Sequence, residues 1–279
     1  MSTLWLVATP IGNLGDLAPR AVDVLAHAGL ICCEDTRRTG LLLHHAGVKA
    51  ERLAVCNEHT ELSRVADVLS VLGGGRDVAI VSDAGTPGIS DPGERIVRAA
   101  IDAGYDVSAV PGPSAAIMAL TISGLSADRF VFEGFIPRKG PDRAARLAEI
   151  AAERRTTVIY EAPHRVERTL ADLRDACGDD RQIVVTRELT KLHEEVVRGP
   201  LGTIDIGGPR GEYVLILAGA TADDRPASDD EVRDALRHEL AAGSSTRDAA
   251  AIVARDIGRP KREVYALAIA LDRQTGSHE

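Results

Sequence analysis

The residues with the most chemical promise sit in three short loops built from Gly, Pro, Ser, Thr and Asp. The longest is Val81-Ser82-Asp83-Ala84-Gly85-Thr86-Pro87-Gly88-Ile89-Ser90-Asp91-Pro92-Gly93, which follows directly on an apolar stretch ending at Ile80. Glycine permits close backbone approach and proline fixes φ, so amides and carbonyls rather than bulky side chains are left to meet a ligand. Ala8-Thr9-Pro10-Ile11-Gly12-Asn13-Leu14-Gly15-Asp16-Leu17 sets a second such loop before a helix that Asp16 would cap, and Val110-Pro111-Gly112-Pro113-Ser114-Ala115-Ala116 sets a third. Small residues in the third would let a flat ring or an amino-acid moiety lie against the backbone. One loop of this kind reads equally well as a surface turn; three on one chain point to a cofactor shelf. Neither G-x-G-x-x-G nor G-K-[ST] occurs in them, which disfavours a dinucleotide or a triphosphate.

The shelf needs a sheet behind it. Apolar runs at 4–9, 30–33, 53–56, 78–81 and 107–110 alternate with helical patterns at 17–27, 36–45, 61–72 and 94–103, an α/β arrangement. After Pro113 the rhythm changes. A helix at 114–123 precedes strands at 130–135, 157–161, 183–187, 194–198 and 213–217, with only two helices, 143–152 and 166–176, among them. A mixed, partly antiparallel sheet is expected there. The expected domains are an N-terminal α/β lobe (1–112), a mixed-sheet lobe (113–221) and a helical tail (228–279), with a polar linker at 219–226.

The tail reads as three short helices, 229–242, 246–256 and 261–271, with Ser245 or Thr246 capping the second and Pro260 opening the third. This is a helix-turn-helix pattern. A nucleic-acid contact, a dimer contact and a folding cap all fit it, and Arg259, Lys261 and Arg262 are its contact candidates.

Composition narrows the classes. A net charge of −9 argues against nonspecific coating of nucleic acid, which depends on phosphate neutralisation. A local basic surface remains: residues 136–155 carry Arg138, Lys139, Arg143, Arg146, Arg154 and Arg155 against Asp142, Glu149 and Glu153. Paired charges on a solvated helix account for that pattern as well. Cys32, Cys33, Cys56 and Cys177 have neither C-x-x-C spacing nor a secreted framework, so a reducing cytoplasm is expected, with no zinc site. The first apolar run stops at Pro10, too short for a signal peptide or a membrane span, so no membrane partner is expected.

Taken together, Thr9 to Asp16, Glu34-Asp35-Thr36-Arg37, Ser82 to Gly93 and Val110 to Ala115 resemble the tetrapyrrole methylase superfamily. Within it, Phe132-Glu133-Gly134-Phe135-Ile136-Pro137-Arg138-Lys139-Gly140, Tyr160-Glu161-Ala162-Pro163-His164-Arg165 and Thr186-Arg187-Glu188-Leu189-Thr190-Lys191 resemble the branch of ribosomal small subunit methyltransferase I. The resemblance covers nearly the whole chain. It implies a two-lobed, non-Rossmann methyltransferase fold, S-adenosyl-L-methionine as cofactor, a homodimer, and 2'-O-methylation of a 16S rRNA cytidine in the decoding centre of the small ribosomal subunit. By motif it implies cofactor contacts at Pro10, at Ala84, Gly85, Thr86, Ile89 and Ser90, and at Ser114 and Ala115. Glu161, Ala162, Leu189 and Ala218 would close the pocket from the second lobe. Corrinoid and siroheme relatives carry Gly-Gly-Asp-Pro where this chain has Ala84-Gly85-Thr86-Pro87, so backbone contacts are expected to replace the displaced acid.

A ribose hydroxyl attacking a sulfonium methyl needs alignment and a proton acceptor, and no metal. Glu188 or His59 could accept the proton, and Lys191 could if burial depressed its pKa. Arg37, Arg165 and Arg187 suit phosphate, with Arg37 also a catalytic candidate, and Arg138 and Lys139 suit the RNA footprint. Asp35, Asn57, Glu58 and Glu161 complete the polar set. Internal pairing or helix capping would account for any of them equally. Aromatic residues are 3% of the chain, too few for extended base stacking. A small-tetrapyrrole methyltransferase and a helix-turn-helix regulator remain as alternatives.

Overall fold

The computed structural model describes residues 2–57, 59–221, 227–257 and 259–275. The chain forms two compact units, residues 1–219 and 220–279.

The first unit holds two five-stranded sheets. In the first, β1 (Thr3–Val7), β2 (Leu30–Cys33), β3 (Leu53–Val55), β4 (Val78–Ile80) and β5 (Asp106–Val110) run parallel in the order β3-β2-β4-β1-β5. Strand alternation divides its core in two. Leu30 and Cys32 pack with Val68, Leu72, Ile96 and Ala100 from helices α3 (Glu61–Gly73) and α4 (Glu94–Asp102). Ile31 and Cys33 pack on the other face with Ala21, Leu25 and Leu43 from α1 (Pro19–His27) and α2 (Thr36–His45). Burial on both faces is why these strands read as unbroken apolar runs.

The second sheet has the order β6-β7-β10-β8-β9, from β6 (Phe130–Phe135), β7 (Thr156–Glu161), β8 (Gln182–Arg187), β9 (Glu195–Pro200) and β10 (Tyr213–Leu217). Only β6 and β7 are parallel, so the expected mixed sheet is present. Helices α6 (Pro141–Ala152) and α7 (Pro163–Cys177) cover one face, and α5 (Ala115–Ser123) covers the other. Ile11, from the loop after β1, is buried in that second face with Leu189 and Val214. The first loop therefore seals one sheet against the other.

Asp16 does not cap α1 as its spacing suggested. It lies in a 3-10 turn at Leu14–Asp16, and α1 starts three residues later behind Ala18, whose side chain makes no cap. The proline at the start of α1 lacks an N–H and needs no acceptor there.

In the second unit, α8 (Asp229–Ala241), α9 (Thr246–Ile257) and α10 (Lys261–Thr275) enclose Val232, Leu236, Ala249, Val253, Val264 and Ala268. Ser228 and Glu231 form a reciprocal capping box on α8, and Ser245 Oγ accepts from Asp248 N at the start of α9. Among the described residues no helix is long and apolar enough to cross a membrane.

Candidate active site

The three loops interlock through their backbones. Thr9 N donates to Gly85 O at 2.8 Å and Gly85 N to Thr9 O at 3.1 Å, a two-way bridge between the first and second loops. Thr86 Oγ1 donates to Pro113 O at 3.0 Å, joining the second to the third. Gly85 has φ +86°, and a Cβ there would stand 3.3 Å from Ile11 Cγ2. The position is thus a cradle that a side chain would fill.

A cleft of about 400 Å³ opens over this shelf at the carboxyl ends of the parallel strands. Ala84, Gly85, Thr86, Ile89, Ser90, Ser114 and Ala115 line one wall, while Glu161, Ala162 and Leu189 line the other. Pro10 and Ala218 do not line it. Pro10 is buried behind Ile11, which does. Ala218 lies past the far end of β10: that strand runs antiparallel to β7, so its first residue, Tyr213, pairs with Glu161 at the cleft. The cleft residues of β10 are accordingly Tyr213 and Val214, next to Glu212.

Sequence reasoning missed the acidic side of the cleft. Glu34, Asp83 and Asp91 all line it, with Arg38 beside them. Glu34 Oε1 accepts from Asp83 N at 2.9 Å, and burial pushes the Glu34 carboxyl above its ordinary pKa. Arg38 Nη1 meets Asp83 Oδ2 at 3.2 Å. Asp91 is pushed up to about 7, first by burial and then by the negative charge of Glu34, with Asp83 adding to it and a hydrogen bond from Ser82 opposing it. The only advance signal for Asp91 was its position inside the glycine-rich run.

The catalytic candidates scatter. Arg37 points to solvent and is held by Asp35 at 2.7 Å, while its neighbour Arg38 reaches the cleft. Asp35 is spent on this pair and on capping α2 through Arg37 N. His59 sits in the turn before α3, where its backbone N donates to Asn57 Oδ1, and it does not line the cleft. Glu58 lies outside the described residues. Lys191 does line the cleft, with Nζ 2.8 Å from Glu188 Oε1 and 2.9 Å from Glu212 Oε2. Burial alone would lower its pKa, but the two carboxylates outweigh burial and hold it above the ordinary lysine value. A lysine with a depressed pKa is therefore not what the cleft contains. Glu188 is held below its ordinary value because Lys191 and Glu212 N outweigh desolvation. Glu188, Thr190 and Ser90 all have positive φ, at +51°, +66° and +62°, an expensive conformation gathered around one cleft.

Two of the expected phosphate-binding arginines are occupied. Arg165 Nε meets the buried Glu161 Oε1 at 3.2 Å, and its Nη2 donates to Ile136 O. Arg187 Nη2 meets Glu195 Oε2 at 2.7 Å. In the basic stretch, Arg143 is buried, Arg146 pairs with Glu133 and Arg155 with Glu153; Arg154 is exposed just past the end of α6, and Arg138 and Lys139 are exposed on the loop after β6. In the tail, Arg259 is tied to Asp229 at 2.7 Å and Glu263 at 3.1 Å, while Lys261 and Arg262 are exposed.

Comparison with known proteins places this geometry. Residues 3–205 match the family described as Tetrapyrrole (Corrin/Porphyrin) Methylases, and residues 226–272 match the RsmI C-terminal HTH domain. The chain belongs to the tetrapyrrole methylase family. Within that family it is 45% identical over 277 residues to "Ribosomal RNA small subunit methyltransferase I" of Synechocystis, covering 98% of this chain and 99% of that protein. It therefore groups with the small subunit methyltransferase I branch. Among solved tetrapyrrole methylases, the methyltransferase CobJ superposes with TM-score 0.61 at 20% identity, over 79% of this chain and 95% of that one. Uroporphyrin-III C-methyltransferase of Thermus thermophilus, complexed with S-adenosyl homocysteine, superposes with TM-score 0.55 at 18% identity, over 78% and 97%. Methyltransferases of this family use S-adenosylmethionine. The cleft fits that group: a glycine cradle and small side chains leave room for it, and the carboxylates of Glu34, Asp83 and Asp91 suit a cation.

Proposed function

We propose that this chain 2'-O-methylates a cytidine of 16S rRNA in the decoding centre of the small ribosomal subunit, acting as a homodimer. The observation that carries this reading is the near-complete alignment with ribosomal RNA methyltransferases together with the RsmI-type helical domain. When bound, S-adenosylmethionine supplies an electrophilic methyl group to the cleft. Gly85, Thr86, Ser114 and Ala115 would hold it from the shelf, and Ala162 and Leu189 from the opposite wall.

In this reading the chain's own residues handle the proton. Asp91 is the best-matched acceptor in the cleft, because a carboxylate with pKa about 7 is a far stronger base than an ordinary aspartate yet is substantially ionised at neutral pH. It takes the proton of the attacking 2'-hydroxyl on a carboxylate oxygen. Glu188, ionised and tied to Lys191, supports the rim rather than moving a proton. The exposed Arg138 and Lys139 meet the RNA backbone, and Lys261 and Arg262 extend the footprint.

The deciding experiment supplies labelled S-adenosylmethionine with undermethylated small subunits, naked 16S rRNA or a tetrapyrrole precursor. Label is expected on rRNA and, after digestion, in 2'-O-methylcytidine. Label only on the tetrapyrrole, or none on either rRNA form, overturns the proposal; label on a base overturns the ribose assignment.

A further inference from the structure

The loop carrying Arg138 and Lys139 is anchored by two arginines that the proposed chemistry does not use. Pro137 O accepts from Arg143 Nη1 at 2.9 Å, and Ile136 O accepts from Arg165 Nη2. These are the two carbonyls immediately before Arg138. Both arginines lead back to one carboxylate. Arg165 Nε binds Glu161 Oε1 directly at 3.2 Å, whereas Arg143 Nη2 donates to Thr169 Oγ1 at 3.0 Å, which donates to Glu161 Oε2 at 2.6 Å. Asp172 balances Arg143 at 2.7 Å.

This network is buried where it matters: Arg143 is 4% exposed and Glu161 2%. Burial of two guanidinium groups around one carboxylate is costly unless every donor is directed. Here the donors converge on a loop that is rooted by the buried Ile136 and exposes Arg138 and Lys139, and Glu161 itself lines the cleft. Only a planar fork can reach Pro137 O, Thr169 Oγ1 and Asp172 together, so lysine cannot replace Arg143.

We infer that Arg143 and Arg165 are positioning residues that fix the 136–140 loop to the cleft wall at Glu161, setting where Arg138 and Lys139 meet RNA phosphates relative to the methyl-transfer cleft. This rests on the proposed rRNA substrate.

The test is a mutant cycle on the full chain with in vitro transcribed 16S rRNA, reading affinity across a salt series. Arg143→Lys is expected to weaken rRNA binding roughly tenfold and to reduce the slope of log affinity against log salt by about 1 to 2, the share of two phosphate contacts. Cofactor affinity by calorimetry should fall far less than rRNA affinity, because Arg143 does not itself line the cleft. In an Arg138→Ala/Lys139→Ala background, Arg143→Lys should add nothing. An undiminished effect in that background, or no effect of Arg143→Lys in the native chain, overturns the inference. If Arg143→Lys fails to fold, Thr169→Val, which removes only the hydroxyl link, must lower the salt slope in the same way; an unchanged slope overturns it. If Arg138→Ala/Lys139→Ala leaves rRNA binding unaltered while the native chain still methylates rRNA, this inference falls and the functional reading stands. Absence of any label on rRNA with the native chain is the separate failure of that reading.

Discussion

Thr86 donates its hydroxyl to Pro113 O at 3.0 Å, so this side chain at the centre of the shelf is spent on holding two loops together. The expectation that backbone groups dominate the shelf gains a physical reason: this hydroxyl is already committed within the protein. Thr86→Val keeps the shape and removes the donor. It should cost about 1 kcal/mol of stability by leaving a half-buried carbonyl unpaired, and should weaken cofactor binding about fivefold by loosening a preorganised wall. Thr86→Ser should retain most of both. Calorimetric titration with S-adenosylmethionine and thermal melting separate the two effects; unchanged affinity in Thr86→Val would mean the loops hold their places without this bond.

Asp91 ties activity and stability to pH in opposite directions. Its pKa rises from 3.8 to about 7 on folding, mainly through burial and then through Glu34. Between those values the folded state binds the extra proton, so the favourable contribution is complete below about pH 4 and is lost as pH rises through 7. Turnover should instead rise with pH and level off above about 7, since the ionised form is the acceptor. Asp91→Asn should abolish that limb, lower kcat by about a hundredfold or more, and melt higher than the native chain at pH 8 but not at pH 4. A native pH–kcat profile that is flat from pH 5 to 9 would remove Asp91 from the mechanism.

What the sequence revealed and what it hid follow one physical divide. Gly and Pro act locally, so the three loops and the strands feeding them were legible; the Thr9–Gly85 bridge, between residues 76 positions apart, needed the fold. Arg37 and Arg38 are indistinguishable by type, but Asp35 captures the first, and one step around a helix aims the second at Asp83. Glu161 and Arg165 stand four apart at a helix start, a spacing that signals internal pairing and could have withdrawn Arg165 from the phosphate contacts. The resemblance assigns Ala218 to the pocket, but the pairing of Tyr213 with Glu161 brings the opposite end of β10 there, a strand direction that the sequence does not display. Asp91 carries no local mark beyond its place in the glycine-rich run: its raised pKa depends on burial and then on Glu34, which follows the end of another strand.

The rim formed by the first loop and the 188–191 turn should be sensitive to a single methyl group. A Cβ on Gly12 would overlap Lys191 Cγ and stand 2.8 Å from Thr190 Oγ1 and 3.0 Å from Leu189 O. The lysine can swing aside, but Thr190 accepts from Asn13 N at 3.1 Å and the backbone oxygen cannot move alone. Gly12→Ala is therefore expected to cost about 1–3 kcal/mol by overpacking and to raise the KM for cofactor, whereas alanine at Gly40, which meets nothing within 4 Å, should leave that KM unchanged. Equal KM values for the two variants would show that this contact does not shape the cleft.

Within the helical unit, basic residues close in sequence should behave differently. Arg259 bridges Asp229, Glu263 and Ala227 O, joining the start of α8 to the start of α10, while Lys261 and Arg262 face solvent. Arg259→Ala is expected to lower the melting temperature of this unit, because it removes the hydrogen bond to Ala227 O and two ion pairs to exposed carboxylates. Its effect on RNA binding should follow that loss of order. Lys261→Ala and Arg262→Ala should leave the melting transition in place and each reduce the salt slope of rRNA binding by about 1. Circular dichroism melts alongside salt titrations make the distinction. A reduced slope in Arg259→Ala with native melting would return Arg259 to the RNA footprint, and unchanged slopes in the other two would take the start of α10 out of it.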